Sequence, residues 1–324
     1  MTTKKKYYYV ADILRAIAAL LVLNSHYGNV YPIKLSIGAE LGVAIFFILS
    51  GFLLSSINTN TKFIPWIIKK ELRLFVPYYL WKIVRLLFNH ISVYSFNTFL
   101  SNFLSPTGIW FSIWISVLYV VYYVYYKYVY KKWGKKSILL LMGLSFIAFV
   151  VFYCTTEMHE SSMETSNMPS KMLWLLCMML GLYIHESDII KPKKDLYHLC
   201  FCAMACVVLY GVSKLVINRG YIPYLKCMPT IIAVIASSTL IITLFNYEEY
   251  NKNIVASISS NCLLHMVSCS SLEIWYVSWL FIGTMSGFVF PVNWISITIA
   301  TILVAYILHK LSEMLISVFY KSKT

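Results

Sequence analysis

Residues 10–26 read VADILRAIAALLVLNSH, an apolar stretch that carries Arg15 near its middle and His26 at its end. At about 100° per residue the spacing places both side chains on one face of an α-helix, about 16 Å apart along its axis. An arginine inside a bilayer helix costs about 2.5–3.5 kcal/mol, so it usually faces protein, water or a ligand. An imidazole can move protons near neutral pH. The stretch predicts a membrane helix with a functional polar face; for His26, a place at the water interface is the alternative.

The composition of the chain excludes an ordinary soluble enzyme. Of 324 residues, 60% are hydrophobic and 12% are charged, whereas soluble domains carry about 25% charged residues. No polar stretch is long enough to bury a core of its own, so we expect one all-α, polytopic membrane domain over residues 1–324. The net charge of +14 would suggest nucleic acid in a soluble protein. Here we attribute it to an excess of Lys and Arg in cytoplasmic loops, and we expect membrane lipids and not nucleic acid as partners.

The eight cysteines indicate neither a metal site nor a disulfide framework. They lie in or beside apolar segments, and none forms a Cys-x-x-Cys pair. Cys200, Cys202 and Cys206 are close in sequence but have no histidine or carboxylate at zinc-site spacing. We therefore predict no metal and treat the cysteines as small apolar residues.

The apolar runs predict about ten transmembrane helices with both termini in the cytoplasm. With the N-terminus inside, most of the 27 lysines and arginines fall in cytoplasmic segments, which supports an even number of spans. The run 276–291 contains Gly283, Gly287 and Pro291, so we predict a re-entrant or interfacial segment there and not an eleventh span. The predicted helices cover residues 10–28, 39–57, 74–91, 109–128, 137–154, 171–186, 196–217, 228–246, 254–272 and 292–317.

Glu40 opens the second predicted helix, after a loop of about a dozen residues. Because so short a loop makes helices one and two neighbours, Glu40 and His26 are expected at similar depth. Glu40 could then hold one ring nitrogen of His26 and stabilise the imidazolium. Alternatively, it is a carboxylate at a helix start, where the helix dipole favours negative charge.

Two further patterns suggest ligand contacts. Ser50 and Gly51 form a small pair in the second helix that would let a ligand or another backbone approach closely. Lys70 and Arg73 precede Pro77 at a predicted helix start, where cationic side chains and the helix dipole together suit a phosphate. The alternatives are ordinary helix packing for the small pair and positive-inside charge or lipid contact for the cations.

Together these patterns resemble the acyltransferase-3 family, membrane O-acyltransferases that act on cell-surface glycans. The resemblance covers nearly the whole chain, with the motifs in the family's order. They are Arg15 with His26, Gly42-Val-x-x-Phe46-Phe47-x-x-Ser50-Gly51-Phe52-Leu53, Lys70-x-x-Arg73-x-x-x-Pro77-x-Tyr79, Trp110-Phe111, and Ser260-Asn-Cys-Leu-Leu-His265.

The resemblance implies a bacterial inner-membrane protein that uses acetyl-CoA, or another short acyl-CoA, as a cytoplasmic donor substrate and holds no bound cofactor. It implies a saccharide or lipid-linked glycan as acceptor. The expected site residues are catalytic His26, Glu40 and His265, and acyl-CoA-binding Arg15, Lys70, Arg73, Ser50, Gly51 and Tyr78. For His265, a second catalytic histidine and a packing role are both open.

The chain departs from the family pattern at two positions. Lys70 replaces the first arginine of the family's R-x-x-R stretch, which keeps the charge and loses the bidentate fork. Ala44 stands where many members carry an aspartate, so Glu40 could take over a supporting role or the role is absent.

These expectations give a mechanism in which CoA phosphates lie near Lys70 and Arg73 and the pantetheine arm passes Arg15. His26 then deprotonates a sugar hydroxyl that attacks the thioester; an acyl-histidine that forms first is the open alternative. A transporter or lipid-linked glycan flippase is the first alternative, since it too would carry intramembrane charges. A non-enzymatic scaffold or sensor is the second, but it gives no reason for Arg15.

Overall fold

Helices make up the regular structure of the protein in the computed structural model, which describes residues 7–28, 30–32, 37–55, 61–88, 110–155, 167–187, 189–190, 196–218 and 225–321. Within these ranges there are twelve helices of eight or more residues, a three-residue helix Lys131–Trp133 and one π-helical stretch, with no strand. The helices are α1 Tyr9–Ser25, α2 Ala39–Leu54, α3 Phe63–Phe88, α4 Trp110–Val124, α5 Lys135–Thr155, α6 Met168–Glu186, α7 Leu196–Asn218, α8 Met228–Tyr250, α9 Lys252–Ser259, α10 Cys262–Cys269, α11 Ser271–Met285 and α12 Val292–Lys321.

Four of these helices are long and apolar enough to cross a membrane, and α10 with α11 would make a fifth if that bent pair is one span. The four are α5, α7, α8 and α12. Helices α5 and α7 leave many large apolar side chains exposed, as Leu140 and Phe201 illustrate. Apolar side chains on the outside of a bundle are the surface that a lipid environment requires.

Helix α2 is the central element of the bundle and packs against α1, α6 and α8. It runs antiparallel to α1, because Gly38 at its start lies against Leu21 and the Phe52 ring near its end lies 5.2 Å from Tyr8. The first two helices are therefore neighbours, as the short loop between them predicted.

The start of α1 is held by a side chain distant in sequence. Glu248 in α8 accepts hydrogen bonds from the backbone N–H groups of Tyr9 at 2.8 Å and Val10 at 3.2 Å. A carboxylate satisfies these N–H groups and complements the positive end of the helix dipole. The contact joins α1 and α8 at one end of the bundle.

Helices α3 and α4 lie antiparallel. The hydroxyl of Tyr123, late in α4, donates to the Thr61 carbonyl just before α3 at 2.8 Å. The Ser116 hydroxyl, earlier in α4, donates to Glu71 in α3 at 2.6 Å. The order of these contacts fixes the direction of α3 against α4.

Helix α3 begins eleven residues before the predicted start at 74. The predicted helix started only at 74 because Lys69, Lys70 and Arg73 were expected in a cytoplasmic segment before it. In the structure they belong to the helix, and Pro77 lies inside it.

The region after α8 differs most from the prediction. A single helix over 254–272 was wrong, since α9, α10 and α11 replace it and α10 and α11 meet at 85°. Asn261 starts α10 by accepting from Leu263 N–H at 3.0 Å. The first part of the predicted re-entrant or interfacial segment over 276–291 continues α11 to Met285, with Gly283 inside the helix, and the bent pair of α10 and α11 is either a broken span or a re-entrant loop.

Candidate active site

A cavity of about 980 Å³ is enclosed mainly by α1, α2, α3, α4, α11 and α12. Such a volume lies in the range of small-molecule and cofactor sites. Arg15 and His26 both line it, as their helical spacing predicted. We call its two ends the Arg15 end and the His26 end.

Arg15 has a local partner. Its Nη1 lies 2.9 Å from Oδ1 of Asp12, one turn earlier in α1. The Tyr7 hydroxyl also donates to Asp12, and this hydrogen bond raises the pKa of Tyr7 to about 12. The ion pair reduces the cost of holding a guanidinium in this helix while Arg15 still faces the cavity.

His26 directly follows α1, and its ring lies 4.7 Å from that of Trp279 in α11, tilted by 47°. Its Nε2 atom is buried and has no hydrogen-bond partner in the described structure. A buried polar atom without a partner is uncommon, and a catalytic role is one recognised reason for it. The histidine is thus positioned by an aromatic contact and remains available to a ligand.

The Arg15 end also carries Lys70 and Arg73 of α3 in its wall. The Lys70 Nζ lies 5.5 Å from the centre of the Tyr119 ring, a cation–π distance. Arg73 is exposed and forms no salt bridge with any described residue. The two side chains give this end of the cavity positive charge suited to an anionic ligand.

Helix α3 runs along the cavity from the Arg15 end toward the His26 end. The Tyr126 hydroxyl, just past α4, donates to the Ser55 carbonyl at 3.2 Å, which places the end of α4 at the Arg15 end. Since α3 is antiparallel to α4, its first residues share that end. Ser50 and Tyr78 also line the cavity.

A second histidine, His309 of α12, lines the same cavity. Its Nδ1 lies 2.9 Å from Oε1 of Glu273 in α11, and its Nε2 lies 3.5 Å from Oε1 of Glu313. Glu273 is buried and Glu313 is exposed. A carboxylate on Nδ1 fixes the orientation and the tautomer of an imidazole.

The Glu273–His309 pair was missed by the sequence reasoning. The signal was present, because both residues lie in apolar segments and the argument that singled out Arg15 applies equally to them. Glu273 fell just past the predicted ninth helix, and His309 was counted only as part of the last span.

The family model described as an acyltransferase domain, of the acyltransferase-3 family, matches residues 8–310. The chain belongs to the acyltransferase-3 family. The match includes Arg15, His26, Lys70, Arg73 and His309. This acyltransferase matches none of the curated proteins and none of the solved structures with which it was compared.

In this acyltransferase Glu40 does not support His26, and that prediction is corrected. Glu40 is 2% exposed; its Oε2 accepts from the Tyr210 hydroxyl at 2.6 Å, and its Oε1 pairs with Lys214. Both partners belong to α7, on another side of α2 from the cavity, whose described lining residues do not include Glu40. Its partners make Glu40 a structural residue.

Gly51 does not line the acyltransferase cavity either, so its predicted acyl-CoA contact lacks the required geometry. A Cβ on Gly51 would lie 1.9 Å from the Met178 carbonyl oxygen of α6. A Cβ on Gly181 of α6 would likewise lie 1.9 Å from the Ile48 carbonyl oxygen of α2. The two glycines let α2 and α6 cross at close range, so the packing alternative describes Gly51.

His265 lies in α10, is exposed, and is absent from the described lining of the cavity. Its depth was estimated from a straight helix that began near Lys252, whereas the chain breaks at Ser260 and bends again after α10. The predicted second catalytic histidine therefore does not reach the cavity. No group of three His, Cys, Asp or Glu side chains suited to a metal occurs in the described part of the enzyme.

Proposed function

We propose that this acyltransferase is a membrane O-acyltransferase that moves an acetyl group from cytoplasmic acetyl-CoA to a hydroxyl of a saccharide or lipid-linked glycan. The observation that carries the proposal is a cavity with Arg15, Lys70 and Arg73 at one end and, at the other, a histidine whose Nε2 has no partner among the described residues. Family membership supports acyl transfer in general. The donor, the acceptor and the base are inferred from the cavity and the family resemblance.

We assign the Arg15 end to the cytoplasmic side of a bacterial inner membrane. The distribution of Lys and Arg supports this orientation. Helices α1 to α8, the bent pair α10 and α11, and α12 together would make ten spans with both termini inside. The bent pair would count as one crossing, since its two helices together are long and apolar enough for one.

The donor's phosphates would bind Lys70 and Arg73, where two cations face the cavity. The pantetheine arm would then follow the wall past Arg15. The rise from Arg15 to His26 is about 16 Å at 1.5 Å per residue, a distance comparable to the length of that arm. The thioester would arrive at the His26 end while the nucleotide stays at the cytoplasmic opening.

The chemistry follows from an imidazole beside the thioester. His26 takes the proton from the acceptor hydroxyl as its oxygen bonds to the thioester carbonyl carbon. The tetrahedral intermediate collapses, the carbon–sulfur bond breaks, and the CoA thiolate receives the proton from His26. The products are the O-acyl saccharide and CoA thiol. Trp279 would keep the imidazole in place through its ring contact.

His26→Ala tests the proposal directly. Lipid-reconstituted enzyme is incubated with acetyl-CoA labelled in the acetyl group, and release of CoA thiol is measured, with water as the acceptor if none is added. We expect a loss of about 100-fold or more, the usual contribution of a general base. His198→Ala, on the exposed face of α7, is the matched control and should retain activity. Wild-type turnover in His26→Ala would refute the role of His26; substrate movement without thioester consumption would support a transporter.

A further inference from the structure

Arg85 lies in the cavity wall on the far side of His26 from Arg15. The Tyr78 and Tyr276 rings are 5.6 Å apart, and α11, like α3, runs from the Arg15 end toward the His26 end, because Ser268 just before it donates to Asp12. From there Trp279 is about 4.5 Å further along α11, and Arg85 is about 10 Å further along α3. Since Trp279 contacts His26, Arg85 lies roughly 6 Å beyond the histidine.

Arg85 has no counter-ion among the residues that the structure describes. It forms no salt bridge or hydrogen bond in the described structure, and the adjacent Lys82, whose Nζ lies 5.3 Å from the Tyr78 ring centre, adds further positive charge. The carboxylates that line the cavity, Glu273 and Glu313, are engaged with His309. The guanidinium is therefore open to an anion from outside the chain.

A bound donor would not satisfy this arginine. Arg73 and Arg85 are twelve residues apart on α3, about 18 Å along the axis. If the donor phosphates occupy the Arg73 side, the reactive thioester lies near His26, and what remains beyond it is space for the acceptor. Arg85 is the cation that borders this space.

Two tryptophans flank the same space. Trp81, one turn before Arg85, is 5% exposed, and its Nε1 is a buried donor without an acceptor among the described residues. Trp279 is 56% exposed beside His26. Aromatic faces with a few polar groups are typical walls of a small-molecule site, and such faces suit the apolar faces of a sugar ring.

We propose that Arg85, Trp81 and Trp279 form the acceptor subsite and that the acceptor is an anionic saccharide, with a carboxylate or phosphate close to the hydroxyl that is acylated. The planar guanidinium binds either group through two parallel hydrogen bonds. This inference rests on the proposed function and gives it an acceptor class. A carboxylate would indicate an acidic polysaccharide, and a phosphate would indicate a glycosyl phosphate intermediate.

The test compares three methyl glycosides as probes: methyl β-glucoside, methyl β-glucuronide and methyl β-glucoside 6-phosphate. Acetyl-CoA consumption by the reconstituted enzyme is measured against the concentration of each probe. The quantity compared is the probe concentration that gives half of the maximal change in consumption. In the wild type at least one anionic probe should act at about tenfold lower concentration than the neutral one, equivalent to about 1.4 kcal/mol. A lower concentration for the glucuronide would indicate an acidic polysaccharide, and a lower concentration for the 6-phosphate would indicate a glycosyl phosphate intermediate.

The variants locate the effect. Arg85→Gln should bring anionic and neutral probes to the same concentration, and Arg85→Lys should keep part of the preference. Arg73→Gln is the matched control at the other end of α3, and it should raise the acetyl-CoA requirement while leaving the preference intact. A preference that survives Arg85→Gln, or a wild type that does not discriminate or does not respond, would overturn the proposal.

Two further measurements distinguish an acceptor subsite from a failure of the proposed function and from a lipid contact. If the wild type consumes no acetyl-CoA, the proposed function fails, and quenching of tryptophan fluorescence by the anionic probes still tests Arg85. Vesicles of neutral lipid and vesicles with phosphatidylglycerol test whether Arg85 contacts lipid headgroups instead. An effect of Arg85→Gln confined to anionic vesicles would contradict an acceptor subsite.

Discussion

At the scale of single residues, the polar side chains inside this bundle divide into those that are paired for stability and those that face the cavity. Arg15 belongs to both groups, because it is paired with Asp12 and also lines the cavity. Glu40 is paired with Lys214 and Tyr210. His26 lacks any partner for Nε2 among the described residues. An unpaired polar atom is costly, so we connect His26, and not Glu40, with chemistry.

Glu40→Leu should reduce stability and not the chemistry. Removing one partner of a buried ion pair costs about 3–5 kcal/mol because the other charge is left uncompensated. We expect a lower melting temperature, measured by thermal unfolding in detergent, with turnover per folded molecule close to wild type. Glu40→Leu combined with Lys214→Met should recover much of the stability. Full stability with abolished turnover would restore the catalytic role that the sequence suggested.

Helical periodicity predicted that Arg15 and His26 face the same way, and both line the cavity, because α1 continues from Arg15 to Ser25, directly before His26. Glu40 was different: loop length gives its depth, but only the rotation of α2 about its axis decides which way its side chain points. The same limit applied to His265, whose depth depended on an unbroken helix. The relative positions of side chains on one helix can be predicted from the sequence. The direction in which a side chain points toward another helix depends on how the helices pack.

At the scale of elements, glycines decide how closely helices approach. The α2–α6 crossing at Gly51 and Gly181 brings each Cβ position to 1.9 Å from a backbone oxygen of the other helix. The sequence showed a small residue at Gly51 but not its partner. The start of α3 and the break between α10 and α11 were also missed, because a charged segment can be helical and a bend needs no proline.

Gly181→Ala should separate α2 from α6 and destabilise the bundle by about 3 kcal/mol, the upper part of the usual range for overpacking. Gly143→Ala in α5 is the matched control, since its added Cβ meets nothing within 4 Å and alanine favours a helix. The two variants are compared by their unfolding temperatures under the same conditions. Equal stability of both would show that the crossing relaxes and that the glycines are not required for it.

At the scale of the whole molecule, the bundle encloses a cavity with distinct chemistry at its two ends. The helical class and family could be predicted from composition and motif order, and the structure and the family match confirm them. The enclosure itself could not, because it needs residues from α3, α11 and α12 whose relative positions arise only on packing. Glu273 and Trp279 belong to α11 and His309 to α12, the last two helices of the described chain.

Acyl transfer from a donor that is bound at the Arg73 side and reacts at His26 is the function proposed for the cavity. Its most direct test is a steady-state comparison of Arg73→Gln and His26→Ala with acetyl-CoA as the varied substrate. We predict a KM for acetyl-CoA about tenfold higher in Arg73→Gln with kcat little changed, and a lower kcat with little change in KM in His26→Ala. If Arg73→Gln leaves KM unchanged, or if His26→Ala retains the wild-type kcat, the cavity does not carry the donor to His26.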